Sequence, residues 1–93
     1  MRVGVPKEIK SNENRVGLVP ASVRELILHG HQVFVETMAG WGIGFDDDAY
    51  TSAGATVLKT ADEIFANADM IVKVKEPQAA EIARLSERHV LFT

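Results

Sequence analysis

The 93 residues are enough for one small domain and too few for two separate hydrophobic cores. Apolar residues at 46% and charged residues at 25% make a globular balance, which argues against a wholly disordered chain. The absence of cysteine excludes disulfide frameworks, thiolate nucleophiles and cysteine-ligated metal centres, and a net charge of −3 gives no pull towards nucleic acid or an anionic membrane.

In chain order, Arg2-Val3-Gly4-Val5 reads as a short strand stopped by Pro6, which has no N–H to feed a ladder. Lys7 to Val19 is polar and reads as a long connection, a length uncommon in a compact domain unless it has a function. Pro20 opens a helix continued by Val23, Leu26 and Ile27, and Gly30 supplies its left-handed stop. Gln32 to Glu36 is β-branched and aromatic, a strand.

Gly40, Gly42 and Gly44 mark an irregular turn, and Asp46-Asp47-Asp48 is placed to cap and charge a short helix through Ala53. Ala55 to Leu58 is a brief strand, and Thr60-Ala61-Asp62-Glu63 has the form of a capping box opening a helix through Ala68. Met70 to Lys75 reads as the clearest strand, with Ile71, Lys73 and Lys75 on one face. Pro77 begins another helix with Ile82 and Leu85 on one face, and Val90-Leu91-Phe92 starts a last strand in which the sequence stops, as a piece of something longer would. No apolar run approaches the ~20 residues of a membrane span, and no apolar leader follows Met1, so a soluble cytoplasmic protein is expected.

This alternation of strands and helices predicts an α/β domain: an open doubly wound parallel sheet, flavodoxin-like or Rossmann-like, of about five strands with helices on both faces. Ligands of such sheets sit beyond the carboxyl ends of the strands. The first strand feeds a loop carrying Lys7, Glu8, Lys10 and Arg15, and the fourth delivers Lys75 and Glu76. If those strands are neighbours, two cationic segments far apart in sequence converge on one edge. Guanidinium grips a carboxylate through two parallel hydrogen bonds, and ammonium is a compact charge suited to polarising a carbonyl oxygen. Arg15 and Lys75 are therefore candidates for a small-carboxylate site. The competing reading makes them surface cations paired with Glu8, Glu13 or Glu76, and Glu8 is equally free to pair with Lys73 or Lys75.

Other signals are weaker. Gly40-Trp41-Gly42-Ile43-Gly44 has its third glycine at the wrong offset for a dinucleotide loop and precedes an acidic run, so a structural turn is expected. Asp46 to Asp48 lacks the spacing of a calcium loop. His29, His31 and His89 have no metal-ligand spacing and read as surface structure, and no metal is expected. Trp41, Phe45 and Tyr50 are too scattered among acids for a nucleic-acid stacking platform.

Met1 to Glu8, Asn14-Arg15-Val16-Gly17-Leu18-Val19-Pro20, Ala39 to Asp46, Ala53-Gly54-Ala55 and Ile71 to Pro77 together resemble the amino-terminal domain of alanine dehydrogenases, in order and over essentially the whole chain. The resemblance implies reversible, NAD-dependent conversion of L-alanine to pyruvate and ammonia. It implies that Arg15 clamps the substrate carboxylate and that Lys75 contacts the carbonyl oxygen while ammonia adds and water leaves. It also implies that residues 1–93 are the amino-terminal part of the substrate domain. A histidine just beyond Thr93, a later acid and a separate Rossmann domain for NAD would then lie outside this chain, which alone should not turn over. Members of the family are homo-oligomers, often hexamers. The alternatives are the nucleotide-binding subunit of proton-translocating transhydrogenase, whose relatives lack the lysine matching Lys75, and a non-catalytic α/β module that binds a small carboxylate.

Overall fold

The computed structural model describes all residues, Met1–Thr93. Five strands, β1 (Arg2–Val5), β2 (Gln32–Glu36), β3 (Thr56–Leu58), β4 (Met70–Val72) and β5 (Val90–Phe92), form one all-parallel sheet in the order β3-β2-β1-β4-β5. This is the Rossmann-like rather than the flavodoxin-like order. The helices are α1 (Pro20–Leu28), α2 (Asp47–Ser52), α3 (Ala61–Asn67) and α4 (Ala79–Ile82), and a 3-10 turn spans Trp41–Ile43. No helix is long and apolar enough to cross a membrane.

Period-two alternation sorts the core into two layers. Val3, Val5, Val33, Val35 and Val72 pack on one face with Val23 of α1 and Tyr50 of α2. Ile71 and, partly buried, Phe34 pack on the other with Ile64 and Phe65 of α3. Gly4 lies between Val3 and Val5 because α3 presses on β1 there: a Cβ would stand 2.6 Å from Ala68 Cβ and 2.9 Å from Ile64 Cγ2. Burial of strands on both faces is what an all-parallel sheet requires.

The expected helix boundaries carry the expected chemistry. Asp46 Oδ1 accepts the Ala49 N–H at 2.9 Å, Thr60 Oγ1 accepts that of Glu63 at 3.2 Å, and Gly30 has φ +88°. His29 Nδ1 lies 2.8 Å from the Glu25 carbonyl oxygen at the end of α1.

Two expectations are corrected. The strand read over Met70 to Lys75 ends at Val72. Lys73 N still donates to Phe92 O at 2.9 Å, but the next two amides donate to the Glu8 carboxylate and leave the ladder. The helix expected from Pro77 is reduced to Ala79–Ile82, and Ile82 is exposed while Leu85 is half-buried beyond it. Its inward residue is Glu81, 1% exposed, because the ammonium of Lys73 demands a counter-charge there.

Candidate functional site

From β1 the chain steps through β2 to β3 on one side, then α3 carries it back to β4 on the other side of β1. The order reverses between β1 and β4, which pair through Val3 with Met70 and Gly4 with Ile71. Such a reversal opens a crevice at the carboxyl ends of the strands. The neighbouring strands that the sequence argument required are therefore present.

The long loop after β1 crosses this crevice and is fastened at several points. Lys7 N donates to Glu36 Oε1 at 2.9 Å, Lys10 pairs with Glu76, and Gly17 lies so close to β4 that a Cβ would stand 2.5 Å from Val72 O. The loop after β2 is the opposite wall. Asp47 accepts from Thr37 Oγ1 at 2.5 Å and Met38 N at 2.9 Å, holding Met38 at φ 67°. Gly42 packs on Asn14, where a Cβ would come within 2.9 Å of Asn14 Cβ, and Gly40 lies on the Tyr50 ring. The glycines of this segment thus serve turn and close-packing geometry, as expected.

Between the two loops lies a cleft of about 160 Å3, lined by Lys7, Glu8, Glu13, Arg15, Met38 and Trp41 with their neighbours; Lys75 does not line it and reaches it only through Glu13. At about 30 Å3 per water it has room for a ligand of a few heavy atoms. Arg15 Nε and Nη2 donate to Glu13 at 3.0 and 2.9 Å, and its backbone N–H donates to the same carboxylate at 2.8 Å. Lys75 Nζ stands 3.8 Å from Glu13 Oε1. Both candidate cations therefore meet at one carboxylate, whose side chain is 5% exposed while that of Arg15 is 64% exposed.

The hydrogen bonds from Arg15, with a smaller contribution from the Lys75 charge, hold the Glu13 carboxyl down at about 2. Glu13 in turn raises the pKa of Arg15. Guanidinium has five N–H donors, and Glu13 uses two of them, so the remaining Nη donors of Arg15 have no protein acceptor. They are the donors free to take a second carboxylate.

The pairing of cations with nearby acids, which the sequence offered as the competing reading, is thus present together with the convergence. Glu8 pairs with Lys73 at 3.0 Å. Sequence reasoning missed Glu81 and the lining positions Met38 and Trp41. The spacing of Gln78 and Glu81, with Gln78 N donating to Glu81 Oε1 at 2.9 Å, was the signal available for Glu81.

No group of three or more histidines and acids is placed to hold a metal ion. Nor do residues 1–93 fit a dinucleotide: β1 runs into Pro6 and a long loop rather than a glycine turn and helix, and the Gly40–Gly44 turn precedes three acids.

The fold is that of an α/β domain of the doubly wound, Rossmann-like class. The family model described as alanine dehydrogenase/PNT, N-terminal domain, matches residues 4–93, and the chain belongs to that family. It is 50% identical over 93 residues to alanine dehydrogenase of Methanococcus maripaludis, covering 100% of this chain and 25% of that one. Alanine dehydrogenase of Bacillus subtilis is also 50% identical, with 100% of this chain and 24% of the relative covered. A solved L-alanine dehydrogenase superposes with TM-score 0.94 at 50% identity, covering 98% of this chain and 25% of that structure. A transhydrogenase structure from Sinorhizobium meliloti gives 0.90 at 37% identity, covering 98% and 27%. The chain spans about a quarter of the length of the relatives it matches.

Proposed function

We propose that this chain supplies the substrate-binding part of an alanine dehydrogenase, which interconverts L-alanine with pyruvate and ammonia using NAD held outside residues 1–93. The observation that carries the reading is the shared carboxylate: Arg15 and Lys75 already converge on Glu13 Oε1, at 2.9 and 3.8 Å. In this reading the free Nη donors of Arg15 orient the carboxylate of pyruvate or alanine. The Lys75 ammonium faces the ketone oxygen, stabilises the negative charge that develops as ammonia adds, and assists departure of that oxygen as water. NAD supplies the oxidising or reducing equivalent, and no side chain here is assigned to it.

The relatives at 50% identity named alanine dehydrogenase, against 37% for the transhydrogenase, support this choice between the two. The same reading makes the protein a cytoplasmic homo-oligomer, with a hexamer the expected form. Apolar side chains exposed on the edge strand β5, Val90, Leu91 and Phe92, support burial against further protein. The test is assay of the full-length protein carrying this chain. NADH formation dependent on L-alanine, with release of pyruvate and ammonia, is expected. Hydride exchange between nucleotides without any response to alanine would assign it to the transhydrogenases instead.

A further inference from the structure

Beneath the cleft, Lys73 Nζ lies 3.0 Å from Glu8 Oε1 and 2.8 Å from Glu81 Oε2, with side-chain exposures of 1–2%. Replacing a buried ionic group by apolar side chains of similar volume is often neutral or stabilising, so stability alone is a poor account of three buried charges. Their hydrogen bonds give a better one. Glu8 Oε2 accepts the Val74 N–H at 3.1 Å, and Glu8 Oε1 accepts the Lys75 N–H at 3.2 Å. These are the two amides that leave the sheet where β4 ends. The carboxylate does for them what a neighbouring strand does for the residues before.

Each further group satisfies the one before it. Lys73 pairs with both Glu8 and Glu81 through its one ammonium, and Gln78 N donates to the other Glu81 oxygen at 2.9 Å. No buried side-chain nitrogen or oxygen is left unpartnered. Glu8 also belongs to the loop that carries Arg15, so one carboxylate fixes the end of β4 against that loop.

We infer that Glu8 is the positioning residue for Lys75, with Lys73 and Glu81 as the buried support that holds its carboxylate in place. The inference rests on the reading of Lys75 as the contact to the ketone oxygen. A shift of about 1 Å at such a contact is enough to cost up to roughly a hundredfold in rate. Arg15 keeps its own partner in Glu13, so carboxylate binding is not the quantity that Glu8 controls.

A double-mutant cycle in the full-length enzyme tests this. Glu8→Gln should lower kcat for pyruvate amination by about tenfold or more, with KM for pyruvate changed by less than about threefold. In a Lys75→Ala background the same change should cost nothing further. Ile64→Val, a core change beneath α3 outside the Glu8–Lys73–Glu81 cluster, is the stability control and should lower the melting temperature while leaving kcat unchanged. An equal loss with and without Lys75, or a Glu8→Gln loss confined to KM, overturns the positioning role. Full activity of Lys75→Ala by itself would instead overturn the functional reading, and this inference with it. If Glu8→Gln fails to fold, amide hydrogen exchange in the unmodified enzyme decides: Val74 and Lys75 should exchange slowly, and fast exchange at Lys75 overturns the proposal.

Discussion

Lys75 and Arg15, from opposite ends of the sequence, meet at a single oxygen atom: Glu13 Oε1 lies 3.8 Å from the Lys75 ammonium and 2.9 Å from the Arg15 guanidinium. The meeting follows from topology, because β4 is laid beside β1 only after the chain has crossed back over the sheet. The Arg15 hydrogen bonds, with a smaller contribution from the Lys75 charge, hold the Glu13 carboxyl down at about 2.

Lys75→Ala in the full-length enzyme should slow both directions of the reaction by about a hundredfold or more, as loss of an electrophilic contact does. Steady-state kinetics with saturating pyruvate and with saturating alanine measures it. Near-normal turnover would remove Lys75 from the chemistry.

Arg15→Lys keeps the charge and loses the fork. One ammonium cannot hold Glu13 through two parallel bonds and also present a second pair to substrate. KM for pyruvate should rise by about tenfold, with a smaller effect on kcat. An unchanged KM would assign Arg15 to the loop structure alone.

Strand and helix positions were legible where local chemistry and tertiary environment agree. Val33 to Val35 alternate correctly because both faces of β2 are covered, and Asp46, Thr60 and Gly30 act through local hydrogen bonds or backbone conformation. The convergence of Arg15 and Lys75 was legible because strand ends and sheet topology determine it. The early end of β4 was not, because its amides are diverted by Glu8, a residue far away in sequence. Glu81 was illegible for a related reason: apolar spacing points to Ile82, and only the buried Lys73 ammonium makes a carboxylate the better inward group.

Glu13 makes the protein acid-sensitive in a defined window. Its carboxyl is held at about 2 in the fold by Arg15, against 4.5 for the unpaired group. Between those values the unfolded chain binds the proton and the folded one does not, so stability falls as pH drops from about 4.5 towards 2. Asp69 and Glu76 are lowered in the same sense by Arg2 and Lys10, so the wild-type curve alone does not isolate Glu13. Urea midpoints of wild type and Glu13→Gln should converge as pH falls through that interval. A gap independent of pH would place the effect of the substitution elsewhere.

Tyr50 works at the other end of the scale. Its ring is buried, its hydroxyl donates to Leu18 O at 2.9 Å, and burial pushes the phenol up to about 12 from 10.0. Unfolded tyrosine ionises first, so the stabilisation is intact below pH 10 and is lost as pH climbs towards 12. Tyr50→Phe should cost about 1 kcal/mol at neutral pH through the lost hydrogen bond and should flatten the alkaline decline. Denaturant melts across that interval are the measurement, and an equally steep decline in the Phe variant would show that another group controls it.

Gly17 and Gly4 separate loop placement from general stability. A methyl group on Gly17 would stand 2.5 Å from Val72 O and 2.9 Å from Val72 C, backbone atoms of a strand that cannot withdraw. The loop must lift instead, and it carries Glu13 and Arg15. On Gly4 the same methyl meets Ala68 Cβ and Ile64 Cγ2, side-chain atoms under α3 on the other face of the sheet. Each alanine substitution should destabilise by about 1–3 kcal/mol, the usual cost of overpacking. Only Gly17→Ala should also raise KM for pyruvate, because only there does strain relax into the cleft. Matched melting temperatures with matched KM values would mean that the first crossover loop is held by the Lys7, Glu8 and Lys10 contacts, with no part played by its close approach to β4.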